Sequence, residues 1–152
     1  MIVYRAGSSA LPAIDPPVRE LRVNASAIAG VATLAATVAV AVSSDPWQMI
    51  VMVLIAPIVE ESAFRAGLQE WLLRHRFLQA PANIVTAAAF VVGHCLLRGL
   101  SVTSLAVAGP ALLLGWVYGR YRSLRLCIAL HMLMNLIWTT TGQWLASAPW
   151  AP

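Results

Sequence analysis

Four stretches of the chain, Val23 to Ser44, Phe77 to Leu97, Gly99 to Gly119 and Leu126 to Pro152, carry no Asp, Glu, Lys or Arg. Each supplies the roughly 20 apolar residues that one bilayer crossing needs. Inside hydrocarbon every backbone N–H and C=O must find a partner within the protein, and a continuous run of this length does so as a helix. A fifth crossing has to contain Glu60. The sequence therefore predicts an all-α, polytopic membrane helix bundle of about five transmembrane helices, approximately 23–43, 47–72, 80–98, 102–119 and 126–146. No linker is long enough to separate domains. With 60% hydrophobic and 11% charged residues, the composition is far from that of a soluble globular domain.

All ten basic residues are arginine. In a five-crossing arrangement Arg5, Arg19, Arg22, Arg74, Arg76, Arg120, Arg122 and Arg125 fall on one side, Arg98 falls opposite, and Arg65 lies within the bundle. Positive charge concentrates in cytoplasmic loops, which predicts a cytoplasmic N-terminus, including a cytoplasmic segment 1–22, and an external C-terminus. Topology accounts for the net charge of +4, so nucleic-acid binding is not indicated. The first apolar run begins too late and runs too long for a cleavable signal peptide, and is expected to be a retained anchor. Cys95 and Cys127 lie in or beside apolar runs and read as buried thiols rather than a disulfide framework. Trp47, Trp71, Trp144 and Trp150 sit near helix ends as interfacial anchors, whereas Trp116 and Trp138 are expected to pack more deeply. Gly115 and Gly119 form a small-xxx-small pair, compatible with a close helix approach or simply with the glycine content of membrane helices.

Glu60, Glu61 and Arg65 stand out against this background. An ionised group at the centre of a membrane helix costs about 2.5–3.5 kcal/mol on insertion scales, so such groups mark functional sites by default. Glu61 and Arg65 are four residues apart and share a helix face as an ion pair, while Glu60 points about 100° away and is the spare carboxylate. Phe90-x-x-x-His94 and His131-x-x-x-Asn135 repeat the four-residue spacing on later helices. A single intramembrane histidine is usually a hydrogen-bonded packing residue. Two carboxylates, two imidazoles and an amide on three helices can instead surround a small wet cavity, the arrangement needed to polarise water and stabilise an oxyanion.

In order, Glu60-Glu61-Ser-Ala-Phe-Arg65, Phe90-Val-Val-Gly-His94 and His131-Met-Leu-Met-Asn135 resemble the three-part signature of a family of intramembrane proteases. That family, the CAAX protease and bacteriocin-processing (CPBP) proteins, includes type II CAAX prenyl endopeptidases and lysostaphin-resistance-like proteins. All three parts are present without substitution, and the resemblance spans about residues 46 to 145. It implies a single transmembrane protease-like domain, residues 23–147, that hydrolyses a peptide bond near the membrane in a prenylated, leader-bearing or C-terminally sorting-tagged substrate. The resemblance makes Glu60 the general base, His94 a holder of the attacking water, and His131 and Asn135 the oxyanion donors, with Glu61 and Arg65 in support.

The family has been described both as metalloproteases and as glutamate proteases. The sequence contains no His-Glu-x-x-His pair, although Glu60, His94 and His131 supply the residue types of a three-ligand zinc site. A metal-free, glutamate-type site without a cofactor is the favoured expectation. Ser62, Thr103, Ser104 and the cysteines have no base at a demonstrable spacing, and a chain without lysine has no phosphate-binding P-loop. Expected partners are a membrane-associated protein or peptide substrate and the lipid bilayer, with a homo-oligomer or a membrane partner also compatible. A bacterial plasma membrane is the expected location.

Two other classes compete with the protease: a non-catalytic scaffold that keeps polar groups for packing, and an ion or proton translocator with Glu and His staggered along the membrane normal. Depth provides a discriminating expectation. At 1.5 Å per residue, Glu60 lies about 20 Å inward from Trp47 and His131 roughly 8 Å from the other face, so these two share a level. His94 falls near the outer end of its helix on the same count. That helix is expected to tilt, shift or break at Gly93 or Gly99 if His94 joins the others.

Overall fold

The computed structural model describes residues 24–42 and 45–146. The expected cytoplasmic segment 1–22, Trp150 and the side chain of Trp144 lie outside the described residues. Five helices follow one another: α1 is Ala25–Val42, α2 is the helical run 46–74, α3 is Gln79–Arg98, α4 is the run 102–121, and α5 is Leu124–Ala146. The predicted segments are thus recovered to within about two residues at most ends. Among the described helices, α3, α4 and Leu124–Thr141 of α5 are long and apolar enough to cross a membrane; in α1 the corresponding apolar stretch, Ala25–Val38, is shorter.

Local chemistry sets the helix boundaries. Asp45 precedes Pro46 and its Oδ1 accepts from the backbone N–H of Gln48 at 3.1 Å, satisfying one orphan donor at the start of α2. Ser101 and Ser123 do the same at the starts of α4 and α5, accepting from the N–H groups of Ser104 at 3.1 Å and Leu126 at 3.3 Å. Gly99 terminates α3 with φ +82, a region where a side chain would be strained. The links between α2 and α3, α3 and α4, and α4 and α5 are short, so consecutive helices run antiparallel.

The polarity of the bundle is inverted relative to a soluble protein. Glu61, Arg65, Gln69, Thr86 and His131 are buried, whereas Ile84, Val92, Leu96, Leu97 and Leu113 face outward. A lipid exterior accounts for both observations. Leu114, Val117 and Tyr118 of α4 form one apolar cluster with Cys127 of α5, and Ala87 and Phe90 of α3 form another with Ala111 of α4. Trp47 and Trp71 are exposed near the ends of α2, as expected of interfacial anchors. Trp116 and Trp138 depart from expectation, being 53% and 65% exposed. Trp116 is absent from the lining of the central cavity, whereas Trp138, although largely exposed, borders it.

Helices α3 and α4 approach closely at Gly115 and Gly119. A Cβ at Gly115 would run into the Asn83 amide, and one at Gly119 into the Gln79 amide. The missing side chains therefore admit two polar residues of α3 against the backbone of α4, where Asn83 Nδ2 donates to the Leu112 carbonyl at 2.9 Å.

Candidate active site

The polar centre is organised by irregularities in α2. Its two π-helical segments, Val51–Ile55 and Ser62–Gln69, flank the α-helical turn and a half, Ala56–Glu61, that carries both carboxylates. Wide turns of this kind are rare and recur at functional sites. Pro57 explains the first one. It lacks an N–H, and the N–H of Ala56 bonds to the Val51 carbonyl, one residue further back than in an α-helix. The Met52 carbonyl thus loses its α partner, Ala56, and has no π partner, because that would be Pro57. Asn135 Nδ2 of α5 fills the vacancy, donating to Met52 O at 2.8 Å. The broken backbone of one helix is completed by the side chain of another.

Glu61 is fully buried and doubly engaged. Its Oε2 accepts from Arg65 Nε at 3.0 Å, and its Oε1 faces His131 Nδ1 at 2.8 Å. An ionised carboxylate only accepts, so Nδ1 of His131 carries the proton and its Nε2 is turned toward Glu60, whose Oε2 lies 3.6 Å away. Arg65 turns both terminal nitrogens to the bundle: Nη1 donates to Gln69 Oε1 at 3.3 Å and Nη2 to the Ala111 carbonyl at 3.0 Å. Gln69 in turn donates to the Gly115 carbonyl at 2.8 Å. Glu61, Arg65 and Gln69, at four-residue steps, form a buried polar spine that bolts α2 to α4 and α5. Gln69 escaped the sequence reading, although its spacing from Arg65 repeats that of Glu61.

In front of this spine lies a cavity of about 200 Å³. Glu60, His94, His131 and Asn135 all line it, with apolar walls from Met52, Val107 and Leu114 among others. Glu60 is partly accessible there, its side chain 25% exposed, in contrast to the buried Glu61. Phe90 lies between the two imidazoles, with ring centroids 4.4 Å from His94 and 6.2 Å from His131. His94 Nδ1 is 3.1 Å from the Phe90 carbonyl. A carbonyl only accepts, so this nitrogen bears the proton and the neutral ring offers Nε2 as an acceptor. All six predicted site residues therefore converge, four on the cavity and Glu61 with Arg65 directly behind it. No break in α3 is needed, because the helix continues through Gly93 and ends only at Gly99.

Glu60, His94 and His131, the residue types of a three-ligand zinc site, all line this cavity. Among the described residues no three His, Cys, Asp or Glu side chains come together in a set that could hold a metal ion. The Nδ1 atoms of His94 and His131 face Phe90 O and Glu61.

An all-α bundle with three spanning-length helices and an acid–imidazole cavity at its centre defines a membrane-embedded protein with a built polar site. The family model for type II CAAX prenyl endopeptidase Rce1-like proteins matches residues 41–137, and the chain belongs to this family. The matched segment contains the entire polar spine and every charged, imidazole and amide group of the cavity. Family membership makes the chain a hydrolase of the protease class, and with the spanning helices it identifies an integral membrane protein. Comparison with curated proteins and with solved structures finds no match.

Proposed function

We propose that the chain is an intramembrane endopeptidase of the glutamate type, in which Glu60 is the general base for a water held in the cavity. The observation that carries this reading is the convergence of Glu60, His94, His131 and Asn135 on one cavity. A relay for ions would stagger such groups between the two faces, and a packing scaffold would leave no space between them. Water donates one proton to Glu60 and the other toward Nε2 of His94, which orients an oxygen lone pair at the scissile carbonyl. Attack forms a tetrahedral oxyanion. Asn135 retains a second N–H after bonding to Met52, and His131 adds an Nε2–H when it is an imidazolium; together they are the proposed oxyanion donors. Collapse breaks the C–N bond, and the proton taken up by Glu60 passes to the departing amine.

Glu61 acts at one remove by fixing the ring of His131, and Arg65 by holding Glu61. The proposed substrate is a membrane-associated peptide, most directly a prenylated C-terminal one, in keeping with the family's description. The test is cleavage of a farnesylated tetrapeptide by the purified chain and by Glu60→Gln, with and without a chelator. A product that requires Glu60 and survives chelation supports the reading. Equal cleavage by Glu60→Gln overturns the base assignment, and loss of activity on chelation with recovery on zinc overturns the metal-free mechanism.

A further inference from the structure

The cavity has a second polar end that this chemistry leaves unused. Phe90, His94 and Arg98 follow one another at four-residue steps on α3, share one face, and all line the cavity. Among the described residues Arg98 has no hydrogen-bond or ion-pair partner, whereas Arg65 is paired with Glu61 and both Arg74 and Arg122 are paired with Glu70. The turn that carries Arg98 is fastened in place. Gly99 reverses the chain with its positive φ, and its carbonyl accepts from Ser104 Oγ at 2.8 Å. Ser104 is in turn bonded through both its N–H and its hydroxyl to Ser101.

A guanidinium is a planar fork matched to a carboxylate. A substrate with a C-terminal Cys-a-a-X motif presents a free α-carboxylate three residues beyond its lipid-bearing cysteine. Any bond cut on the C-terminal side of that cysteine is therefore within three residues of the chain end. Three extended residues span about 10 Å. Arg98 lies one turn beyond His94, about 6 Å along the helix axis, with a long side chain to add. Ala106, Val107 and Pro110 furnish an apolar wall for the intervening side chains. The charges also orient the peptide, since Glu60 repels a carboxylate and Arg98 attracts one.

We propose that Arg98 is the subsite for the α-carboxylate of the substrate, so that the enzyme measures the distance from chain end to scissile bond. This rests on the protease reading above. The test separates binding from hydrolysis. A fluorescent farnesylated tetrapeptide and its C-terminal amide are titrated into the full chain carrying Glu60→Gln, in detergent, and read by anisotropy. The free acid is expected to bind about tenfold more tightly than the amide, Arg98→Gln to erase that preference, and Arg98→Lys to restore part of it. The subsite is refuted if acid and amide bind alike, if the preference survives Arg98→Gln, or if neither peptide binds. The same peptides are then given to the parent chain. An Arg98-dependent preference without cleavage keeps the subsite and sinks the hydrolytic reading, whereas equal binding with Glu60-dependent cleavage does the reverse.

Discussion

Arg65→Met tests the polar spine where its energetics are most exposed. The guanidinium is fully buried and bonds Glu61 at 3.0 Å, Gln69 at 3.3 Å and the Ala111 carbonyl at 3.0 Å. Methionine fills much of the same volume, so the loss is electrostatic rather than a cavity. Removing one partner of a buried pair costs about 3–5 kcal/mol, chiefly because the other charge is stranded. For a chain of this size that corresponds to a fall in melting temperature of about 10 °C. If the stranded Glu61 charge dominates, Glu61→Gln in the same chain should recover part of the loss, because a neutral amide oxygen still accepts from His131 Nδ1. The expected coupling between the two sites is about 2 kcal/mol. Tryptophan fluorescence during thermal unfolding in detergent measures all four proteins of the cycle. Strictly additive losses, or a parent-like melting temperature for Arg65→Met, would refute the view that this ion pair holds the site together.

Glu60→Gln should lower turnover by about 10²–10⁴-fold while leaving the melting temperature near that of the parent, since Glu60 is partly exposed and outside the spine. Gly115→Ala should destabilise by about 1–3 kcal/mol, because its methyl displaces the Asn83 amide and presses toward Arg65 Nη1, 3.1 Å from the added carbon. Gly109→Ala, with open space around it, should be neutral or slightly stabilising in the same unfolding assay. Asn135→Ala strands the Met52 carbonyl at a cost of about 1–3 kcal/mol. Pro57→Ala returns an N–H to that turn and should soften the Asn135→Ala loss; unchanged stability of the double variant relative to Asn135→Ala would refute the proposed origin of the wide turn.

The helices and the residues of the site were legible in the sequence for a simple reason. Uncharged runs in lipid have few ways to pair their backbone, and charged or imidazole groups within them are costly enough to be informative. Four-residue spacing likewise revealed that Glu61 and Arg65 share a face and that Glu60 does not. The depth count was less informative. It assigned His94 to the outer end of a crossing because it treated each helix as an upright rod starting from a common plane. Relative tilt and offset come from helix packing, here from α3 seating its Gln79 and Asn83 side chains over Gly119 and Gly115.

Pro57 drew no notice in the sequence, where 47–72 was expected to be one uninterrupted crossing, and only the fold brings Asn135 within 2.8 Å of Met52 O. Gln69 was similarly undistinguished until its partner proved to be the carbonyl of Gly115, 46 positions away. The sequence by itself determined a helical membrane chain and the identities of its acid, imidazole and amide groups, because hydrophobic length and four-residue periodicity are local properties. Which of those groups share a cavity, which are consumed in holding it open, and that Arg98 stands on its wall without a partner among the described residues were decided by tertiary structure, because those relations depend on helix–helix packing that no local spacing encodes.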